Sequence, residues 1–262
     1  MTSLDNQFYL LRRKPSEQIE VYDVDSYCLQ RCLNVPRCGT VYDMVACGHN
    51  RCIYVADTSH IHKVALPGGA VRKWSLNEGS GLLSKWSVNE VSGLLSLTVA
   101  HNVLVTCCKV RKIKEFSTDG KLLREIVLPQ DVCSPLHTVQ LSSGELVVCH
   151  GDSGDPLHRV CLIGSDGQIV KSHGGPPGAG NQQVNLPAHM GVDGNDFIFV
   201  ADQNNRRVLL LSPTLTYIRD VVSPGQLKWF PVRLSLDVQR RRLYVADDEY
   251  KDSKYTTGRV IV

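Results

Sequence analysis

Short apolar segments recur along this chain at nearly constant spacing, and they constrain its fold more than any other feature. Three of them share one pattern and end in aspartate: Ile53–Asp57, Ile198–Asp202 and Leu243–Asp247. Weaker copies are found at Phe8–Arg12, Val103–Cys107 and Leu146–His150. The central residues of the six segments lie 45, 50, 43, 52 and 45 positions apart. A period in this range is typical of repeat architectures, in which each repeat is one supersecondary unit.

Each period contains four short runs with the composition of strands. In the fifth period these runs are Ala188–Asp193, Phe197–Asp202, Arg206–Ser212 and Thr216–Val222, separated by Gly, Asn and Asp residues. Four short antiparallel strands per 40–50 residues are typical of one propeller blade. The sequence therefore predicts an all-β fold, a six-bladed β-propeller of four-stranded antiparallel blades, as a single domain over residues 1–262.

The first and last blades are predicted to be incomplete. The first begins at its second strand, and the last ends at its third, Gly258–Val262. One inner and one outer strand would then be missing, as in a fragment of a longer protein. A tandem duplication also interrupts the period, since residues 73–84 and 85–96 are identical at ten of twelve positions. We expect one copy to loop out or to extend an outer strand.

Composition and the N-terminal sequence indicate the cellular compartment and the classes of partner that we expect. No apolar run reaches the roughly 18 residues that a membrane helix needs, and the N-terminus lacks the layout of a signal peptide. The ten cysteines are therefore expected as free thiols in the cytoplasm. Cys47 and Cys52 flank a tight turn and could close a disulfide if oxidised. A net charge of +3 does not indicate DNA binding, and no membrane association is expected.

The segments Pro187–Val208 and Pro231–Asp247 resemble NHL repeats. NHL domains are six-bladed propellers that end many TRIM-type ubiquitin ligases, where they recruit protein or RNA. The resemblance therefore implies substrate recruitment in a ubiquitin pathway, although this chain carries no RING, B-box or coiled coil. The same scaffold resembles amidating lyases and calcium-dependent lactonases, so the fold does not decide the function.

Asp57, Asp202 and Asp247 end the second strands of their blades. We expect their carboxylates to cap the turns that follow by accepting backbone N–H groups. Loops after second strands and before first strands share one end of the blades, which is the usual place for function on a rigid scaffold. The candidate binding residues there are His60, His62, Lys109, Arg111, Asn205, Arg206, Arg207, Lys228, Trp229 and Phe230. An aromatic residue beside Arg and Lys suits a protein anchor or a stacked base.

Four polar residues stand eleven or twelve positions before the central residue of their blades: Asp43, His137, His189 and Arg233. They could ring the mouth of an axial channel, where two histidines and a carboxylate suit zinc. Unrelated polar residues at strand starts are the alternative. The sequence favours a non-catalytic platform without a cofactor that binds a protein partner. A zinc- or calcium-dependent lyase or lactonase is the alternative, and RNA binding is the third option.

Overall fold

The computed structural model describes residues 1–12, 18–34, 41–57, 60–75, 93–251 and 254–261. The chain divides into two compact units, Met1–Glu125 and Ile126–Val262. Whether they make the single domain that the sequence predicts stays a prediction. No helix in the described residues is long and apolar enough to cross a membrane.

Unit 1 contains three four-stranded antiparallel sheets, each formed by strands in sequence order. The first consists of β1 (Thr2–Leu4), β2 (Gln7–Arg12), β3 (Gln18–Asp23) and β4 (Leu29–Asn34). The second consists of β5 (Asp43–Cys47), β6 (Cys52–Ala56), β7 (His60–Ala65) and β8 (Val71–Ser75). The third consists of β9 (Gly93–Leu97), β10 (Val103–Cys107), β11 (Lys112–Phe116) and β12 (Leu122–Val127).

Unit 2 contains two four-stranded sheets and one of three strands among the described residues. The first consists of β13 (Pro135–Gln140), β14 (Leu146–His150), β15 (His158–Ile163) and β16 (Ile169–Gly175). The second consists of β17 (Pro187–Val192), β18 (Ile198–Asp202), β19 (Arg207–Leu211) and β20 (Tyr217–Val222), with a 3-10 helix at Gln203–Asn205. A second 3-10 helix, Pro224–Gln226, precedes β21 (Phe230–Asp237), β22 (Arg242–Lys251) and β23 (Lys254–Ile261).

The recurring apolar segments are the second strands of their sheets. All five residues are buried in each of β6, β10 and β14. A strand covered on both faces reads as a continuous apolar run, because neither face meets water. In unit 2, β14 and β18 pack with their neighbours into one core that includes Cys149, Met190 and Val200.

The fold class is confirmed: the chain is an all-β propeller of four-stranded antiparallel sheets. The prediction for the first blade was wrong, because β1 supplies its inner strand and pairs Ser3 with Phe8. The three-stranded sheet ends at β23, where the sequence predicts an incomplete last blade. Lys73–Ser75 and Gly93–Ser96, from the two copies of the duplication, lie in β8 and β9. Whether one copy loops out concerns residues 76–92, which lie outside the described residues.

Candidate functional site

The aspartates at the ends of second strands accept hydrogen bonds that hold loops of their blades. Asp202 is completely buried, and its Oδ1 accepts the backbone N–H of Asn185 at 2.7 Å. Its Oδ2 accepts the side-chain amide of Asn205 and the guanidinium of Arg207, both at 2.7 Å. Asp247 similarly accepts the N–H of Trp229 at 3.3 Å. In both blades the backbone donor comes from the loop before the first strand. The prediction that these two carboxylates accept backbone N–H groups of the following turn was therefore wrong.

Two predicted binding residues of unit 2 lie within this capping network. Arg207 is 5% exposed and also donates to the backbone oxygens of Gly180 and Gln183, at 3.2 and 2.8 Å. Asn205 is half-buried and donates to Gly178 O at 2.8 Å as well as to Asp202. These side chains fix the long loop before β17, which makes the end of the blade rigid.

In the equivalent turn of unit 1, the two predicted histidines, His60 and His62, differ in their exposure to solvent. Asp57 Oδ1 accepts the N–H of His60 at 2.7 Å, while its Oδ2 lies 2.7 Å from Nε2 of His62. The His62 side chain is 3% exposed, so it belongs to the scaffold. His60 is half-exposed and remains at the surface.

The blade of β13–β16 has His150 at the position where three other blades have Asp57, Asp202 and Asp247. His150 Nδ1 donates to Cys133 O at 3.1 Å, and its Nε2 accepts Arg159 Nε at 3.2 Å. Burial, with Arg159 beside it, lowers the pKa of His150 to about 4, so the ring is neutral. Arg159 also binds Asp131 at 2.8 Å and holds the pKa of that carboxyl below its usual range. The sequence did not identify Asp131 and Arg159 as residues of this loop network. The position of Asp131, four residues before Pro135, was the one signal of an acidic group in the loop before β13.

Arg206, Lys228 and Trp229 remain accessible at the loop end of unit 2, and we call them the anchor cluster. Arg206 is exposed, adopts a left-handed backbone conformation with φ 51°, and makes no side-chain hydrogen bond or ion pair with the described residues. Lys228 is exposed, and its Nζ lies 4.5 Å from the ring centroid of half-buried Trp229. The 3-10 helix at Gln203–Asn205 contacts β21, so Arg206 and Trp229 occupy neighbouring loops. Phe230 is half-buried at the start of β21.

Lys109 and Arg111 belong to unit 1. The third strand of their sheet, β11, begins only at Lys112. They occupy the turn between β10 and β11, where both side chains are exposed. Arg111 has a φ of 49°, which is a turn conformation and explains why the strand starts after it.

Of the three predicted channel-mouth residues in unit 2, the structure brings His137 and His189 into contact. The rings of His137 and His189 are buried and stacked, with centroids 3.9 Å apart and planes 17° from parallel. His137 Nδ1 accepts the N–H of Met190 at 3.2 Å, and His189 Nδ1 accepts that of Leu234 at 3.4 Å. Arg233 is half-buried and donates to the neighbouring Val232 O at 2.7 Å.

Asp43 repeats this arrangement within unit 1. It is buried, and its Oδ2 accepts the N–H of Leu95 at 2.9 Å. In each case a polar side chain of one first strand accepts a backbone N–H from the first strand of the next sheet. These residues therefore tie neighbouring blades together.

The backbone hydrogen bonds also fix the chemistry of the two stacked histidines. A neutral imidazole has one donor and one acceptor nitrogen. Nδ1 accepts a hydrogen bond in both rings, so in the neutral form the proton lies on Nε2. A metal ion could bind Nε2 only after that proton is lost. A metal-bound histidine normally donates its second N–H to an oxygen. As placed, both rings use Nδ1 to accept a backbone N–H from the next blade.

No family model matches the chain, and no curated protein matches it. Among solved structures, a streptogramin B lyase is similar over 94% of this chain and 74% of its own, with 13% identity and a TM-score of 0.63. A catalytically inactive virginiamycin B lyase from Staphylococcus aureus with quinupristin matches 88% of this chain and 70% of its own, with 13% identity and a TM-score of 0.60. Kuenenia stuttgartiensis hydrazine synthase matches 100% of this chain and 93% of its own, with 12% identity and a TM-score of 0.63. At these identities the similarity establishes the propeller fold alone.

Proposed function

We propose that this protein is a non-catalytic binding propeller that recognises acidic segments of protein partners through the anchor cluster. The observation that carries the proposal is the ammonium of Lys228 stacked on the indole of Trp229, next to the loop that carries the exposed Arg206. Tryptophan and arginine are the residues most enriched at binding hot spots, and a rigid scaffold lowers the entropic cost of using them.

The loops around the anchor cluster support this reading because they are already fixed. The backbone of Trp229 is held by Asp247, and the turn before Arg206 is held by Asp202 and Asn205. The backbones that carry the cations and the indole are therefore fixed before a partner arrives. Recruitment of a substrate, as the NHL resemblance implies, would use such a surface.

The proposal is tested by selecting peptides from a random displayed library on the immobilised protein. We expect enrichment of sequences that combine carboxylates with a large apolar residue. Binding should disappear in the double variant Arg206→Ala with Trp229→Ala and persist in the control Arg219→Ala, which removes an exposed arginine of β20. Melting temperatures within a few degrees of wild type would show that the double variant still folds. Selected peptides that bind the folded double variant equally well would contradict the proposal.

RNA is the competing ligand, since bases also stack on tryptophan. Binding through phosphates loses affinity steeply as salt rises, because counterions are released. The protein proposal would be replaced by an RNA one under two conditions. The protein would have to bind RNA at low salt and lose it at moderate salt, and the peptide library would have to yield no enriched sequence.

A metal-dependent lyase or lactonase is the second candidate, favoured by the stacked pair His137 and His189. The use of Nδ1 as an acceptor in both rings argues against it. Metal analysis of the dialysed protein by plasma mass spectrometry separates the candidates. Near-stoichiometric zinc or calcium that is lost in His137→Ala would support the enzyme reading, and substoichiometric metal supports the binding propeller.

A further inference from the structure

Two cysteines of unit 1 face each other across a hairpin. Cys47 is the last residue of β5 and Cys52 the first of β6, and they are directly paired in the ladder. Directly opposed residues of antiparallel strands have Cα atoms roughly 4.5–5.5 Å apart and side chains on the same face. That separation lies within the range that a disulfide spans.

The surroundings of the two sulfurs differ. Asn50, in the turn, donates its side-chain amide to Cys47 Sγ at 3.2 Å. The thiol of Cys52 also donates to the Cys47 sulfur, and these hydrogen bonds lower the pKa of Cys47 to about 5. The pKa of Cys52 is raised by the same hydrogen bond and by burial. Cys47 is therefore the more readily ionised thiol of the pair.

The other hairpin cysteines lack this arrangement. Cys149 and Cys161 lie on adjacent strands, but they pair with Val160 and Val148 and so point to opposite faces of the sheet. Burial raises the pKa of both to about 12. Cys149 and Cys161 are therefore buried thiols that do not pair with each other in the ladder. They serve as an internal control for the oxidation of Cys47 and Cys52.

We propose that Cys47 and Cys52 are a reversible redox site that closes to a disulfide when it meets a hydroperoxide. The Cys47 thiolate attacks the peroxide oxygen, forms a sulfenic acid and releases hydroxide. The Cys52 sulfur then attacks the sulfenic sulfur, and the displaced hydroxide takes up the Cys52 proton as water. The hydroxide from the first step takes up a solvent proton, which replaces the proton that Cys47 lost on ionisation. Overall, two thiols lose two electrons, and hydrogen peroxide is reduced to two molecules of water.

The position of the pair provides the route for the oxidant. Both sulfurs are buried, but they are the final pair of the ladder, next to exposed Gly48 and His49. Opening of a terminal pair needs far less free energy than global unfolding. Hydrogen peroxide is small enough to enter through such an opening.

The experiment treats the full chain with hydrogen peroxide, quenches it with acid, alkylates free thiols and analyses the peptides by mass spectrometry. We expect the peptide that contains Cys47 and Cys52 to lose 2 Da, the mass of the two hydrogens removed in the step above, and dithiothreitol to reverse the loss. Cys149 and Cys161 should stay alkylatable under the same conditions. In Cys52→Ser, Cys47 should stop at the sulfenic acid and react with dimedone.

Asn50→Ala provides a second variant that keeps both cysteines and changes only a turn residue. We expect it to form the disulfide several-fold more slowly, because Cys47 loses a hydrogen bond to its thiolate. The proposal is overturned if Cys47 and Cys52 stay reduced as long as Cys149 and Cys161 do. It is also overturned if oxidised wild-type protein accumulates dimedone-reactive Cys47 instead of the disulfide.

Discussion

Replacing Asp202 with alanine tests whether the aspartate at the end of a second strand is part of the scaffold. The carboxylate is completely buried and accepts the N–H of Asn185, the amide of Asn205 and the guanidinium of Arg207. Its removal leaves the cation of Arg207 without its buried partner. Breaking a buried ion pair in this way costs 3–5 kcal/mol.

We expect a value near the lower limit. Arg207 keeps its hydrogen bonds to Gly180 O and Gln183 O, and Asp220 lies 3.6 Å from its Nη1. A loss of about 3 kcal/mol in a chain of this size corresponds to a fall in melting temperature of roughly 6–12 °C.

The assay is thermal unfolding followed by circular dichroism, with Asp166→Ala as the matched control. Asp166 is exposed and caps a hairpin turn through the N–H of Gln168, so its loss should lower the melting temperature only slightly. The double variant Asp202→Leu with Arg207→Leu should recover part of the stability, because it leaves no buried charge. A fall for Asp202→Ala no larger than that of Asp166→Ala would refute the scaffold role.

Three further changes test other parts of the structure. His150 has a pKa near 4 in the folded state, below its unfolded value. The stability that it contributes should therefore be present above about pH 6.5 and lost as the pH falls toward 4. The urea midpoints of wild type and His150→Gln, compared across this pH range, measure that contribution. His189→Ala leaves the buried N–H of Leu234 without its acceptor and should cost about 1–3 kcal/mol in urea unfolding. Gly151→Ala should destabilise more than Gly154→Ala in the same assay: both have a positive φ, but a Cβ at Gly151 would lie 2.6 Å from a backbone oxygen, whereas nothing lies within 4 Å at Gly154.

The sequence was sufficient for the fold because the buried second strands repeat with a regular period. It missed β1, since three residues are too short to show the alternation that identifies a strand.

The site was harder to predict than the fold, because the direction of a polar side chain depends on tertiary contacts. Arg207 looked like a surface residue, although Asp202 and Arg207 are direct cross-strand partners at a spacing of five. Cys47 and Cys52 have the same spacing and the same direct pairing. The sequence also cannot show that His137 and His189 stack on each other and accept backbone N–H groups from the next blade.

We propose that function resides in the exposed cations of the anchor cluster and in its half-buried indole, while the buried polar residues hold the scaffold. The most direct measurement is the affinity of a selected acidic peptide for wild type, Trp229→Ala and Arg206→Ala, by isothermal titration calorimetry. We expect each variant to bind about tenfold or more weakly with little change in melting temperature, since removing a hot-spot residue costs on the order of 2 kcal/mol. Affinities equal to wild type in both folded variants would contradict the claim and move the search for the binding surface elsewhere on the chain.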